Sequence, residues 1–364
     1  MDFDVVKGVA LARKGLTMDW IKLKTLGKGS HGVVHLVKPT NSVSDDRLFA
    51  VKSCRYKDSS SLQKELQIFK QFVGCGNIVQ CYGAMLSIDD QGMVVYNLFL
   101  EYAPGGNLLD LMSKKYGGKI PECDVKCYVR MLLEGIRDIH QRGYVHCDLK
   151  PANILVFPSD QYGSISSLKI ADFGLVRRPG ERDMSKVEPL MQAFPGTAAY
   201  MPPESVTDGK ISAALDIWSL GCIVIEMITG KLPWEYQNLR DLAIKIGFSR
   251  HPPIPETISS KGKDFLMKCF ERDPSERWTA DMLLSHPFLL SYCSSLPSPT
   301  NSLHRARFNS CLPSMEQLKA ICLVFWNNLM LPKQLLIRWQ EGSCLWNAQR
   351  SKKIQSANSQ VFWK

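Results

Sequence analysis

The chain has 364 residues, 45% of them hydrophobic and 22% charged, a balance that excludes a disordered or fibrous chain and is long enough for two folded units with a buried core. Its net charge of +10 is uneven: residues 290–364 hold nine Lys and Arg against Glu316 and Glu341, which leaves +3 for the rest. No basic run in that stretch exceeds Lys352-Lys353, so nucleic acid is not an expected partner.

Residues 1–17 carry a short apolar cluster, Val5 to Ala12, and the pair Arg13-Lys14, but no strong period; they are read as an extension. Trp20 to Leu26 has strand character, the glycines of Gly27-Lys28-Gly29-Ser30-His31-Gly32 follow, and Val33 to Val37 is β-branched and apolar, a strand again. A dinucleotide-binding turn of this spacing needs a helix to begin at its third glycine. A strand there instead fits a hairpin lid whose glycines let backbone N–H groups approach phosphates. Leu48 to Lys52 gives a third strand ending on a lysine, which by itself reads as a solvated strand end. A helix is predicted from about Ser61, with Leu62, Leu66 and Phe69 on one face. Glu65 shares that face, and an acid on a buried edge requires a cation, for which Lys52 is the candidate. Ile78 to Met85 and Met93 to Leu100 complete a five-stranded antiparallel lobe, and Glu101-Tyr102-Ala103-Pro104-Gly105-Gly106 has the punctuation of a linker.

Helical patterns dominate beyond it. Asn107 to Lys114 is short; Pro121 to Gly143 is long and leads into His146-Cys147-Asp148-Leu149-Lys150-Pro151-Ala152-Asn153. That loop places an acid, a base and an amide between two apolar segments. Asp148 has the chemistry to accept a hydroxyl proton, Lys150 to neutralise a phosphoryl oxygen, and Asn153 to offer its carboxamide oxygen to a divalent metal. Asp172-Phe173-Gly174 follows the apolar run Leu168 to Ala171. The stretch from Asp172 to Glu204 is irregular and polar, the mark of a mobile segment, and closes with Gly196-Thr197-Ala198-Ala199-Tyr200-Met201-Pro202-Pro203-Glu204. Asp216 to Ile228 is a strongly apolar helix, the expected core of a second lobe. Helices at about Ser260 to Phe270 and Thr279 to Leu284 end at His286-Pro287-Phe288. A Ser/Pro-rich linker, Cys293 to Ser302, opens the tail, and a capping-box spacing, Ser314 to Gln317, precedes the apolar run Ala320 to Trp326, where a helix is expected. The rest of the tail shows no defensible period and resembles no known domain. Twelve scattered cysteines, no leader-like start and no apolar run near the roughly 18 residues of a membrane span point to an intracellular, reducing setting, cytoplasmic with the nucleus also open.

Taken in this order, the glycine loop, the strand lysine, the helix acid, the catalytic-type loop, Asp-Phe-Gly and the closing Pro-Pro-Glu resemble the protein kinase signature. Lys52 stands twenty residues after Gly32 and Asp172 twenty-four after Asp148, so a chance ordering is negligible. The resemblance implies an α+β, two-lobed fold: a small antiparallel β lobe with one main helix (18–100), a hinge (101–106) and a larger, mostly helical lobe (107–289), flanked by the extension 1–17 and the basic tail 290–364. It implies ATP and Mg²⁺. Leu26, Gly27, Gly29, Gly32, Val34 and Ala50 would surround the nucleotide, with Leu100 as gatekeeper and the backbone of Glu101 and Ala103 on the adenine edge. Lys52, held by Glu65, would fix the α- and β-phosphates; Asp172 and Asn153 would hold Mg²⁺; Asp148 would take the acceptor proton. Lys150 is the serine/threonine-type residue of the loop and would meet the γ-phosphate. Thr197 would close the substrate site, Arg277 would pair with Glu204, and Ser185 is the better candidate for a regulatory phosphate.

Val145 to Pro151 together with Ala214-Leu215-Asp216-Ile217-Trp218-Ser219-Leu220-Gly221-Cys222 is similar to plant mitogen-activated protein kinase kinase kinases of the MEKK type, which implies a mitogen-activated protein kinase kinase as protein substrate. Three departures stand out: Cys147 where the family has arginine, Pro202 where it has alanine, and Ala198 where a proline is common. The alternative, a nucleotide-binding pseudokinase scaffold, usually lacks the strand lysine, the catalytic aspartate or the metal aspartate, and all three are present. The pattern is complete at Phe288, so residues 290–364 are expected to be dispensable for catalysis.

Overall fold

Alternating apolar residues in the first hundred positions fold into an antiparallel sheet: β1 (Lys7–Ala10), β2 (Trp20–Gly29), β3 (Gly32–Pro39), β4 (Phe49–Arg55), β5 (Cys81–Ile88) and β6 (Val94–Glu101). Their order is β1-β2-β3-β4-β6-β5, with β1 also pairing β5 so that the sheet closes. The computed structural model describes residues 7–10, 20–29, 32–40, 47–158, 165–181, 197–209 and 211–290. The expected five strands are thus six, because part of the presumed extension pairs between β2 and β5; four residues are too few to show a period of two. The fourth expected strand is also shifted. Ile78 and Val79 lie outside β5 and bind the large lobe instead, Ile78 in a parallel bridge with Ile170 and Val79 donating to the Ile170 carbonyl at 3.0 Å.

Helix α1 (Ser60–Phe69) buries Leu62, Glu65, Ile68 and Phe69. A separate cluster of Trp20, Val37, Phe49, Val51 and Phe99 fills the space within the sheet, where Trp20 and Phe99 meet edge to face at 5.3 Å.

The large lobe holds α2 (Leu108–Tyr116), α3 (Glu122–Gln141), the hairpin β7 (Ile154–Pro158) and β8 (Ile165–Ile170), then α4 (Pro203–Asp208), α5 (Ala214–Thr229), α6 (Leu239–Phe248), α7 (Ser260–Cys269), α8 (Ala280–Leu284) and α9 (Pro287–Leu290). Asn107, expected as the first residue of a helix, is the N-cap of α2: its side chain accepts from the Asp110 N–H while Asp110 accepts from the Asn107 N–H. Gly117 at φ 63° ends the helix in the left-handed conformation. Helix α5 buries every residue from Leu215 to Met227, and Gly221 is required there because a Cβ would stand 2.8 Å from the Phe270 ring. Complete burial of side chains such as Leu132, Phe265 and Phe288 contributes roughly 1.5–3 kcal/mol each. Helices α4, α6 and α9 were not anticipated. In α6 the apolar residues face both ways, Leu242 and Ile246 inward and Leu239, Ile244 and Phe248 outward, which erases the one-sided period. The tail, with the helix expected over Ala320 to Trp326, and Ser185 lie outside the described residues.

Candidate active site

Register places the small-lobe residues. Val34 lies opposite Lys52, and Ala50 opposite both Leu36 and Leu100. Directly opposed residues share a face and side chains alternate along a strand, so Val34, Ala50, Lys52 and Leu100 line one face of the sheet. Gly27 and Gly29 pair with Val34 and Gly32 across the β2–β3 hairpin. At Gly32, φ is 137° and a Cβ would run into the Ser53 carbonyl oxygen, so only glycine serves this close approach. Leu26 is 39% exposed at the start of the hairpin, and Ala50 is buried. The Ala103 N–H has no hydrogen-bond partner among the described residues, leaving a donor beside the linker.

Lys52 reaches two carboxylates: its Nζ is 2.9 Å from Glu65 Oε2 and 2.8 Å from Asp172 Oδ1. Burial opposes the ammonium charge, but Glu65 and Asp172 outweigh it and hold its pKa above the ordinary lysine value. Asp172 is only partly buried, its side chain 42% exposed; that burial opposes its charge, yet Lys52 draws its carboxyl below the usual carboxylate range. Both therefore stay ionised at neutral pH. The second Glu65 oxygen accepts the Phe173 N–H at 3.1 Å, and the Phe173 ring packs on Phe69, Phe72 and His146 at 4.8–5.3 Å. Asp172, at φ 62°, is turned out of β8 by this anchoring, a conformation a non-glycine residue holds only under external constraint.

The loop after α3 is held from beneath by α5. Asp216, fully buried, accepts the His146 and Cys147 N–H groups at 2.8 and 3.1 Å and lies 2.8 Å from His140 Nε2. This clamp sustains Cys147 at φ 68°. His146 Nδ1 accepts the Asp148 N–H at 3.3 Å, which leaves its Nε2 as donor to the Ala171 carbonyl at 3.0 Å. Asp148 is then surrounded. Its Oδ2 accepts from Lys150 at 2.7 Å and from Asn153 at 2.9 Å; its Oδ1 accepts from the Thr197 N–H at 3.0 Å and hydroxyl at 3.2 Å; Lys150 also donates to that hydroxyl at 2.8 Å. The site thus holds an alcohol between a carboxylate and an ammonium. Asn153 spends its amide hydrogens on Asp148, which turns its Oδ1 away as a free oxygen donor. With the remaining Asp172 oxygen this gives two hard ligands, a set that fits Mg²⁺, which keeps waters and substrate oxygens for its other positions.

Cys147 is 4% exposed and packs with Val145, Leu215 and Ile211, so an apolar cluster stands where a guanidinium would need a phosphate. Of Arg177, Arg178 and Arg182, the arginines that could supply a substitute pocket, Arg177 donates to the Val176 carbonyl at 3.1 Å, Arg178 stacks 5.2 Å from the Tyr144 ring, and Arg182 lies outside the described residues. A segment phosphate would consequently have less charge to neutralise here. Ser185→Ala is expected to keep most activity and phosphatase treatment to change initial rates little; a loss of roughly tenfold or more, about 1.4 kcal/mol, in either experiment would overturn this.

Glu204 and Arg277 form a two-pronged pair, Nη1–Oε1 at 2.7 Å and Nη2–Oε2 at 3.1 Å. Arg277 also donates to the Ala214 and Glu271 carbonyls and lies 5.0 Å from the Trp218 ring. Two residues that hold the site, Asp216 and His140, were not singled out in the sequence. Asp216 carries the signal that identified Glu65, an acid embedded in an apolar helix.

A family model described as "Protein kinase domain" matches residues 20–289. Among curated relatives, mitogen-activated protein kinase kinase kinase 20 of Arabidopsis thaliana is 40% identical over 277 residues, 75% of this chain and 78% of that protein. Mitogen-activated protein kinase kinase kinase 17 of the same plant is 36% identical over 278 residues, 75% and 70% of the two chains. Human mitogen-activated protein kinase kinase kinase 4 is 34% identical over 295 residues, 79% of this chain and 17% of that one. With the two-lobed fold, the paired lysine and acid, and the loop that presents Asp148, these matches establish that the chain belongs to the protein kinase family, as a protein serine/threonine kinase.

Proposed function

We propose that this kinase works at the third tier of a mitogen-activated protein kinase cascade, transferring the γ-phosphoryl group of ATP to a serine or threonine of a mitogen-activated protein kinase kinase. The observation that carries the transferase reading is the Asp148–Lys150–Thr197 triangle, an alcohol hydrogen-bonded to a carboxylate and an ammonium. The names of the plant relatives support the tier. In the reaction the acceptor oxygen attacks the γ-phosphorus as the bond to the ADP oxygen breaks, and Asp148 receives the hydroxyl proton. Lys150 neutralises a γ-oxygen, and Lys52 steadies the α- and β-phosphates. Asp172 and Asn153 would hold Mg²⁺, which would supply charge neutralisation on the phosphate oxygens. Since phosphoryl transfer asks little covalent chemistry of a protein, positioning and electrostatics are the contribution. No observation favours the scaffold alternative, for Lys52, Asp148 and Asp172 are all present, Lys52 paired with Asp172 and Asp148 with Lys150. The cytoplasm and nucleus are the proposed compartments.

The test is phosphorylation of a panel of purified, kinase-dead mitogen-activated protein kinase kinases by the full chain with Mg²⁺-ATP. Phosphate on serine or threonine of at least one panel member is expected. Autophosphorylation without transfer to any of them would refute the tier.

A further inference from the structure

Lys169, Glu101 and Gln80 form a network that the transfer reaction above leaves unused. Lys169 Nζ lies 2.6 Å from Glu101 Oε1, the two side chains 14% and 20% exposed. The other oxygen of Glu101 accepts the Gln80 N–H at 3.1 Å, and the Glu101 N–H donates to the Gln80 carbonyl at 2.8 Å. Gln80 is itself fixed: Nε2 donates to the Ile78 and Cys75 carbonyls at 2.9 and 3.0 Å, and Oε1 accepts the Gly74 N–H at 2.9 Å. The same segment grips β8, with Ile170 donating to the Asn77 carbonyl at 2.8 Å and Val79 donating back to Ile170. Asp172 follows Ile170 by two residues. One short stretch of chain thus touches the hinge and the strand that ends at the metal-site aspartate.

We propose that Lys169 is a positioning residue for nucleotide binding: its ion pair with Glu101 sets the hinge backbone relative to the end of β8. The proposal rests on the reading of residues 101–103 as the adenine edge. Glu101 follows Leu100 in β6, so its side chain leaves the sheet on the face opposite Ala50 and Leu100. The carboxylate therefore does not touch nucleotide and acts through the backbone it orients. Without Lys169 it would be left mostly buried with one N–H, and swinging toward water would disturb the Glu101–Gln80 backbone pair. The Lys169 Nζ lies over the Phe157 ring, 4.5 Å from its centroid, so the ammonium is preorganised. Lys52 is bonded to Glu65 and Asp172 in the same structure, so the network coexists with the assembled site and its loss leads away from that state. Asp148 and Lys150 depend on Asp216 instead, which predicts an effect on ATP affinity more than on turnover.

Steady-state kinetics with a generic basic protein substrate and calorimetric titration with Mg²⁺-ADP test this. Lys169→Met is expected to raise both KM for ATP and Kd for ADP by about fivefold or more, with kcat at saturating ATP and KM for protein changed far less. Lys169→Arg should restore wild-type values, and Gln80→Leu should reproduce the defect. The proposal is overturned if Lys169→Met keeps wild-type KM and Kd, if it gains activity, or if it loses only kcat and folded yield. Failure of the wild-type chain to bind ADP would overturn the adenine-edge reading and the proposal with it.

Discussion

Lys52→Met and Asp172→Ala are each expected to abolish transfer, and Asp148→Asn to lower kcat by on the order of 10² to 10⁴. The first two remove opposite ends of one electrostatic unit. Lys52 is buried between Glu65 and Asp172; with methionine there, two carboxylates of the same sign face each other without a cation and the phosphates lose theirs. Replacing Asp172 removes a metal oxygen and frees Lys52 to bind Glu65 alone. Asp148→Asn is isosteric and keeps a hydrogen-bonding group against Lys150, Asn153 and Thr197, but it cannot accept a proton in the transition state. The measurement is single-turnover transfer at saturating Mg²⁺-ATP, with circular dichroism to show that the variants fold. Near-wild-type turnover in Lys52→Met or Asp172→Ala would refute the assignment. Because the pKa of Lys52 lies above its ordinary value and that of Asp172 below its own, neither group titrates between about pH 6 and 9. Any limb in the wild-type rate profile over that range therefore belongs to another group.

These residues were legible because their chemistry conflicts with their surroundings. Glu65 sits on an apolar helix face, and an acid there needs a cation; Lys52 closes that requirement at 2.9 Å. Asp148, Lys150 and Asn153 crowd one loop too short to solvate them separately. What escaped the sequence depends on register between distant segments. Gln80 and Lys169 are unremarkable in sequence, and their meeting with Glu101 follows from the way Ile78 and Val79 leave the sheet to join β8. Strand β1, which closes the sheet between β2 and β5, is four residues long, below the length at which alternation is distinct. Helix α6 shows apolar residues inward and outward together, so no amphipathic stripe separates it from a loop.

Arg277→Met is expected to destabilise the large lobe by about 3–5 kcal/mol, lowering Tm by on the order of 10 °C. The guanidinium side chain is fully buried and Glu204 nearly so, and desolvating both charges is affordable only because each is fully paired. Arg277 makes two bonds to Glu204 and one each to Ala214 and Glu271. Removing it strands a buried carboxylate and two carbonyl acceptors, which costs more than the pair itself contributes. The double variant Glu204→Leu with Arg277→Met should recover part of the loss, since no unpaired charge remains, so the two changes are expected to be non-additive. The pair also ties α4 to the turn before α8, and α4 begins shortly after Thr197, the residue that meets Asp148. Arg277→Met should accordingly raise KM for the protein substrate at temperatures where the chain is still folded, while KM for ATP stays constant. Thermal melts of the single and double variants decide the first point and kinetics at low temperature the second. A Tm within about 2 °C of wild type for Arg277→Met, less than about 1 kcal/mol on this scale, would mean that the buried pair is not what anchors α4.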